Sequence, residues 1–183
     1  DELKKDSRLR TVNVDRTPPH VNGKKFGLTL GIKAAAHEWI LLTDADCRPE
    51  HTSWISSMSN QFDPSTQFVL GISPYLKKPG FLNLFIRFES LITATQYLAF
   101  ALLKTPYMGV GRNLAYRKSL FLEKKGFNNY LNLTGGDDDI FVNQHAHGGN
   151  TRVNFQPDAL VYSVPKKTWK AFFHQKIRHL AVG

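Results

Sequence analysis

Residues 39–46, WILLTDAD, decide the fold, because a short apolar run ends there on two aspartates. A continuous apolar run of this length is typical of a strand that is buried on both faces of its sheet. Residues i and i+2 of an extended segment point the same way, so Asp44 and Asp46 present two carboxylates at the carboxyl end of the strand. Open α/β sheets bind their ligands at that end.

The aspartate pair itself allows two interpretations. Paired carboxylate oxygens suit Mg²⁺ or Mn²⁺ bridging a diphosphate. Aspartate is also common in turns and caps, so the pair could simply cap the helix that follows. Because the pair stands directly after the apolar strand, the pattern favours a functional site at Asp44 and Asp46.

The segments around this strand alternate between helical and extended patterns. Their apolar spacing predicts helices over 23–37, from Pro49 to about Phe62, over 138–147 and over 168–182, and strands over 67–73, 111–116 and 151–162. Strand, helix and strand joined by short links predict an α/β fold with a mostly parallel sheet flanked by helices.

The segment 80–103 is the most apolar part of the chain. One helical stripe comprises Phe81, Leu84, Phe85, Phe88, Leu91, Ile92, Leu98 and Leu102. Arg87, Glu89 and Gln96 interrupt the segment, which argues against a membrane-spanning helix. We expect a long amphipathic helix, and we favour its packing on the sheet over a position in a membrane interface.

Composition limits the class of protein. The chain has 183 residues, of which 42% are hydrophobic and 21% charged, so it is neither disordered nor collagen-like and suits one domain. Its single cysteine, Cys47, excludes a disulfide framework. The formal net charge is +9, and residues 165–183 carry five lysines and arginines and no acid. This balance predicts an anionic partner, such as phosphate, nucleic acid or an acidic membrane surface.

A second acidic motif, GGDDD at residues 135–139, opens a predicted helix. Repulsion between adjacent carboxylates, together with burial, can raise one pKa into the range of a general base. Favourable placement of acids at a helix N-terminus explains one or two of these aspartates without any function. Asp139 is the one that we expect to be structural.

Two further patterns are weaker when taken alone. Gln175 and Arg178 lie three residues apart on one face of the last predicted helix, where they could bind phosphate oxygens. A solvated basic helix would explain them equally simply. The motif GVGRN at residues 109–113 precedes a predicted strand, and its glycines would let the backbone approach a ligand closely.

In combination and order, these motifs resemble the family 2 glycosyltransferases, which are inverting enzymes with nucleotide-sugar donors and the A-type glycosyltransferase fold. The resemblance covers residues 22–183. It rests on GKKFGLTLGI, LLTDADC, GVGRNLAYRKSLF followed by GF, GGDDDIF and QKIRH. The last motif is similar to the Gln-x-x-Arg-Trp motif of the processive, membrane-embedded branches, with His179 in place of tryptophan.

The resemblance implies a role for each motif. Asp46 and Asp44 would hold a divalent cation, Mg²⁺ or Mn²⁺, on the donor diphosphate. Asp138 would take the proton of the acceptor hydroxyl, or Asp137 if the motif is shifted by one residue. The resemblance further places Lys24, Asp44, Gln175 and Arg178 on the donor side and Gly111, Arg112 and Asn113 on the acceptor side.

The resemblance also implies an organisation and a setting. Residues 1–21 would be a connecting segment, 22–75 the metal and donor side, and 76–183 the acceptor side of a single catalytic domain. The family's first strand and helix are expected before residue 1, so we interpret the chain as an N-terminally truncated fragment that is soluble and has little activity alone. The whole protein is expected at the cytoplasmic face of the cell membrane, in polysaccharide biosynthesis. Its expected partners are a nucleotide-sugar donor, a carbohydrate or lipid-linked acceptor and the membrane, but not nucleic acid.

Two other functions are compatible with parts of the pattern. A sugar nucleotidyltransferase would also place aspartates on a metal, but it would normally carry a glycine-rich basic phosphate loop near its start, which the chain does not show. A non-enzymatic module that binds nucleic acid or anionic lipid would use the positive charge. The acidic cluster at 137–139 argues against a continuous anion-binding face.

Overall fold

The computed structural model describes residues 9–133 and 135–180, without the side chains of residues 178–180. The first half contains α1 (Gly23–Ala34), β1 (Trp39–Leu42), β2 (Cys47–Pro49), α2 (Trp54–Ser59), β3 (Phe68–Gly71) and α3 (Phe81–Leu102). The second half contains β4 (Leu114–Arg117), α4 (Lys118–Glu123), α5 (Asp139–His145), β5 (Thr151–Asn154), β6 (Val161–Ser163) and α6 (Trp169–Leu180). Single 3₁₀ turns lie at Asn128–Tyr130 and Pro157–Ala159.

The main sheet has four strands in the order β1-β4-β3-β5. Strand β4 is antiparallel to both β1 and β3, whereas β3 and β5 are parallel. Strands β1, β3 and β5 therefore run in the same direction, as the sequence predicts, and β4 is inserted between two of them in reverse. The α/β class is confirmed, but the pairing is mostly antiparallel, because two of the three strand pairs involve the reversed strand.

The reversed strand determines where the site forms. The carboxyl ends of β1 and β3 meet the beginning of β4 at one edge of the sheet, since Leu42 and Leu70 both pair with Leu114. Residues that follow β1 therefore lie close to residues that precede β4, although about 70 residues of chain separate them. A parallel β4 would have carried the GVGRN motif to the opposite edge.

The helix predicted to begin at Pro49 is wrong at its start. Pro49 ends β2 instead, opposite Val161 of β6, and the helix begins at Trp54. The backbone N–H of Glu50 donates to the carbonyl oxygen of Leu160 at 2.9 Å, which keeps this stretch extended. Proline is tolerated on a short edge strand of this kind.

Both faces of the sheet are covered. Phe68, Leu70, Leu114 and Tyr116 join the aromatic side chains of the helices in one core, and Val69 and Ala115 pack on the other face against Met58 and Ala159. The helix α3 contributes to the first core, but through a face different from the predicted one. Its buried residues are Asn83, Ile86, Ala94, Tyr97, Leu98 and Ala101.

Most of the predicted stripe of α3 is exposed. Phe81, Leu84, Phe88 and Leu91 are each at least 60% exposed. The expectation that this stripe packs on the sheet is therefore wrong, because α3 carries apolar residues on two faces and the other face, with Ala94, Tyr97 and Ala101, makes the contact. Within the described residues, no helix combines the length and the apolar character that a membrane crossing needs.

Candidate active site

A cavity of about 320 Å³ opens at the edge of the sheet where β1 and β3 end and β4 begins. Its walls come from the start of α1, the turn after β1, the loop before β4, the start of α5, and the helices α3 and α6. The two acidic motifs converge on it, so that its lining contains Asp44, Asp46, Asp137, Asp138 and Asp139.

The first acidic motif forms a tight turn after β1. The backbone N–H of Cys47 donates to the carbonyl oxygen of Asp44 at 3.0 Å, and this contact closes the turn. Three atoms that could bind a metal ion lie within 4.8 Å of one another: a carboxylate oxygen of Asp44, a carboxylate oxygen of Asp46 and the Sγ atom of Cys47. Carboxylate oxygens at this spacing fit a divalent cation, since hard cations prefer such ligands. The two predicted metal ligands thus lie in one cluster that lines the cavity.

Lys24 connects the two acidic motifs. Its Nζ lies 2.9 Å from Asp137 Oδ2 and 3.4 Å from Asp44 Oδ1. Burial alone would lower the pKa of Lys24, but the charges of Asp137 and Asp44 outweigh it and raise the pKa to about 12. The lysine is therefore a fixed positive charge in the cavity wall. Its position follows from the first turn of α1, which Asn22 caps by accepting from the N–H groups of Lys24 and Lys25.

The second acidic motif surrounds the first turn of α5. Gly135 and Gly136 have φ angles of +99° and +72°, a conformation that side chains rarely adopt, and they deliver the three aspartates to the cavity. Asp138 caps the helix by accepting from the N–H of Asp139, and its Oδ2 also accepts from the N–H of Gly111. Asp137 is buried.

Burial and mutual repulsion change the protonation of this cluster. Burial, and then the charge of Asp137, raise the pKa of Asp138 above its ordinary value. Burial, and then the charges of Asp138 and Asp137, raise the pKa of Asp139 to about 8. Asp139 Oδ1 is buried and has no hydrogen-bond partner among the described residues. The expectation that Asp139 is only structural gains no support here, because its carboxyl lines the cavity.

The residues Gly111, Arg112 and Asn113 of the GVGRN motif lie differently with respect to the cavity. Arg112 lines the cavity, and its guanidinium lies over the Tyr75 ring, 4.8 Å from the centroid. Gly111 contacts the site through its N–H. The Asn113 side chain is fully buried, donates to the carbonyl oxygens of Ile72 and Ala159, and accepts from Trp54. It holds the sheet edge together and does not reach the cavity.

The helix α6 closes one side of the cavity. Gln175 and Lys176 are among the lining residues. The ammonium of Lys176 donates to the Glu89 carboxylate of α3, which fixes α6 against α3. Arg178 belongs to α6, but its side chain is outside the described part of the chain.

Several lining residues were missed by the sequence reasoning. These are Ser73, Tyr75, Glu89, Tyr97, Lys166 and Lys176. Glu89 carried a signal, since it is an acid in the middle of an apolar helix. Tyr97 carried none: its hydroxyl donates to the Gly71 carbonyl oxygen at 2.7 Å, a contact that only the packing of α3 on β3 creates.

The chain is similar to known proteins at the level of family and fold. The profile of the family described as "Glycosyltransferase like family 2" matches residues 5–181. The fold is similar to that of the mannosyltransferase PcManGT from Pyrobaculum calidifontis, which was solved in complex with GDP-Man and Mn²⁺, with a TM-score of 0.61 and 21% sequence identity. The match covers 87% of this chain and 42% of that one, so this chain spans less than half the length of that protein. No curated protein gave a match.

Proposed function

This chain belongs to the glycosyltransferase-like family 2 and is a glycosyltransferase domain, and we propose that it transfers a sugar from a nucleotide-diphosphate donor to an acceptor hydroxyl with inversion at the anomeric carbon. The convergence of two acidic motifs on one cavity carries the proposal. A similar fold solved with GDP-Man and Mn²⁺ supports a nucleotide-sugar donor and a divalent cation. Membership of a glycosyltransferase family argues against the alternative of a non-enzymatic module that binds nucleic acid or anionic lipid.

Asp44 and Asp46 are the proposed ligands of the cation, which is Mg²⁺ or Mn²⁺. A bound divalent cation would offset the negative charge that develops on the leaving diphosphate. Lys24, with a pKa of about 12, stays positively charged beside the same aspartates and adds a second attraction for the diphosphate. Gln175, and by resemblance Arg178, would bind the diphosphate from the side of α6.

Asp138 is the proposed general base, ahead of Asp137. Asp137 forms an ion pair with Lys24, so its carboxylate already has a partner in the cavity wall. Asp138 has a raised pKa and is held by two backbone N–H groups, so its carboxylate is both oriented and basic enough to accept a proton. It takes the proton as the acceptor oxygen bonds to the anomeric carbon and the bond to the diphosphate breaks on the opposite face. Positioning by the cavity wall supplies much of the rate.

The acceptor and the location are further parts of the proposal. Arg112 lines the cavity and Gly111 donates its N–H to Asp138, and we assign both residues to the acceptor, a carbohydrate or lipid-linked hydroxyl. We place the protein at the cytoplasmic face of the cell membrane, in polysaccharide biosynthesis. Its resemblance to the membrane-associated branch and the exposed apolar stripe of α3 support that location.

The test measures which product leaves the donor. The whole protein is incubated with a panel of nucleotide sugars, with acceptor mixtures and with Mn²⁺ or Mg²⁺, and nucleoside diphosphate and pyrophosphate are quantified separately. We expect nucleoside diphosphate. Asp138→Asn should lower turnover by about 10²–10⁴-fold, because an amide cannot accept the proton, while donor binding measured by calorimetry persists.

Glu123→Gln is the matched control, since it removes an exposed carboxylate of α4 that lies outside the cavity. Its turnover should equal that of the unaltered protein. Release of pyrophosphate would instead identify a sugar nucleotidyltransferase. Full turnover by Asp138→Asn would show that Asp138 is not the general base.

A further inference from the structure

We propose that an exposed apolar face, formed together by α3 and α6, seats this protein on a bilayer surface that contains anionic lipid. The α3 part of this face consists of Phe81, Leu84, Phe85, Phe88, Leu91 and Ile92. The α6 part consists of Trp169, Phe173 and Ile177. The inference rests on the proposed membrane location and names the surface and the lipid chemistry that would produce it.

The α3 part is an uninterrupted apolar stripe. Its six residues recur at spacings of one, three and four, so they lie on one side of the helix. Each is between 37% and 73% exposed. The opposite side of α3 is already packed in the main core, through Ala94, Tyr97 and Ala101 among others. The stripe is therefore not needed for the core, and leaving so much apolar surface in water is unfavourable unless something covers it.

The α6 part continues this stripe without a gap. The Trp169 ring lies 6.2 Å from the Phe81 ring and 5.4 Å from the Phe85 ring, centroid to centroid. Phe173 stacks on Trp169 at 5.9 Å and is 54% exposed, and Ile177 is 65% exposed. Tryptophan and phenylalanine beside a helix stripe are the residues that enter the boundary between lipid headgroups and acyl chains.

The charges around this face indicate an anionic lipid surface. Exposed Lys77 and Lys78 stand just before α3, and exposed Lys167 and Lys170 flank Trp169, so four positive charges surround the point where the two helices meet. Between residues 64 and 122 the chain contains one acid, Glu89, which Lys176 engages. From residue 159 to the end it contains none. Lysines near a negatively charged leaflet each add to its attraction.

A bilayer satisfies this face better than a second copy of the chain does. Pairing two copies would cover the apolar residues but would supply no negative charge for the lysines. Anionic lipid supplies both the apolar phase and the counter-charge. A membrane also suits the position of the cavity, since Lys176 and Gln175 of α6 line it while Ile177 of the same helix belongs to the apolar face. A lipid-linked acceptor would then reach the cavity along α6.

Vesicle flotation tests the inference. The protein is mixed with vesicles of phosphatidylcholine alone or of phosphatidylcholine with phosphatidylglycerol, at low and high salt. We expect flotation with the anionic vesicles that weakens as salt rises. Leu84→Ser, Phe88→Ser and Leu91→Ser should each lower partitioning by about tenfold. Replacing Lys77, Lys78, Lys167 and Lys170 by Gln should lower it by about fivefold per charge on anionic vesicles only.

Matched controls keep these changes specific. Leu122→Ser replaces an exposed leucine of α4, and Lys33→Gln replaces an exposed lysine of α1, so neither should alter flotation. Brominated lipid should quench the fluorescence of the unaltered protein more than that of Trp169→Phe, because Trp39 and Trp54 are partly buried elsewhere. Thermal melting of each variant checks that it remains folded.

The outcomes separate this surface from the proposed transfer reaction. The serine variants should lose vesicle binding but retain nucleoside diphosphate release from soluble donors, and Asp138→Asn should do the reverse. Flotation that the serine and glutamine variants leave unchanged would overturn the inference. So would an unaltered protein that ignores anionic vesicles and instead forms a dimer that Phe88→Ser dissociates.

Discussion

Asp138 shows how little space the site leaves around its proposed base. Its Oδ2 accepts the Gly111 N–H, and a Cβ built on Gly111 would lie 3.0 Å from that same oxygen. Because Gly111 has no Cβ, the Asp138 carboxylate can lie directly against the backbone at this position. The glycine acts as a positioning residue, since it determines where the carboxylate stands without contacting the reacting atoms.

Gly111→Ala should displace the Asp138 carboxylate by a few tenths of an ångström. We expect kcat to fall by about tenfold with an unchanged KM for the donor, because misplacing a reacting group mainly affects the chemical step. Steady-state kinetics at saturating donor measures this. The matched control is Gly31→Ala in α1, where a Cβ meets nothing within 4 Å, and it should stabilise the helix by about 0.5–1 kcal/mol. An unchanged kcat in Gly111→Ala would contradict the positioning role.

The raised pKa of Asp139 links stability to pH. In the folded protein this pKa is about 8, whereas in the unfolded chain it is about 4, so the folded state holds the extra proton between these values. The free energy of unfolding should therefore fall as pH rises from about 4 to about 8. Asp139→Asn removes the titration and should melt several degrees higher than the unaltered protein near pH 8.

Melting curves across this pH range measure the effect. Below pH 4 the carboxyl is neutral in both states, so the two proteins should melt at similar temperatures there. Glu123→Gln serves as the control, because its carboxylate is exposed and its pKa is lowered by Lys124 rather than raised. An equal gain at pH 4 and pH 8 would show that Asp139 acts through packing and not through its charge.

At the scale of elements, the first turn of α1 links helix capping to the site. Asn22 accepts from the N–H groups of Lys24 and Lys25 at 3.1 and 3.3 Å. The same turn carries the ammonium of Lys24 to Asp137 and Asp44. Lys25 points the other way and donates to the carbonyl oxygens of Tyr130 and Leu133, which holds the segment before the second acidic motif against α1.

Asn22→Ala should cost about 1 kcal/mol of stability, because two backbone N–H groups lose their acceptor. For a chain of this length that corresponds to about 2–4 °C in Tm. Donor affinity should fall as well, since the turn that positions Lys24 loosens. Melting and calorimetric titration with a nucleoside diphosphate measure the two effects. Asn60→Ala, which replaces an exposed asparagine after α2, should change neither. A loss of stability with unchanged donor affinity would show that the Asn22 cap stabilises α1 but does not influence donor binding.

At the scale of the whole molecule, the site depends on the reversed strand. Because β4 runs against β1 and β3, residues before it meet residues after the other two strands at one edge. The contact between Gly111 and Asp138 and the lining by Asp44 and Asp46 both follow from this arrangement. Ligands that bridge the two acidic motifs should therefore stabilise the fold as a whole.

Mn²⁺ together with a nucleoside diphosphate should raise Tm, because both bind only where the acidic motifs are assembled. At a ligand concentration a hundred times Kd the gain is about 2.7 kcal/mol. EDTA should reverse it. Asp46→Ala should abolish the gain and weaken the binding of Mn²⁺ alone, followed by paramagnetic resonance of the free ion. Glu50→Gln, at a neighbouring exposed acid, should keep both effects. A full gain in Asp46→Ala would exclude Asp46 as a ligand.

The sequence by itself determined the local features. The apolar run before Asp44, the glycines before Asp137 and the spacing of the helices predict the elements, the α/β class and the two acidic motifs, because hydrophobic period and turn chemistry act over a few residues. The cavity lies at the carboxyl end of β1, where the sequence predicts ligand binding, and both acidic motifs line it. The assignment of Asn113 to the acceptor side stays a prediction, and the structure shows its side chain buried and outside the cavity lining.

Only the tertiary structure decided which faces are used. Spacing shows that α3 is amphipathic but not which of its two apolar faces packs. The structure packs the face that carries Ala94, Tyr97 and Ala101. The direction of β4, the burial of Asn113 and the contact between Lys176 and Glu89 also join parts of the chain that are far apart in sequence. Such contacts depend on the mutual fit of whole elements, because close packing selects among faces and directions that local patterns leave equivalent.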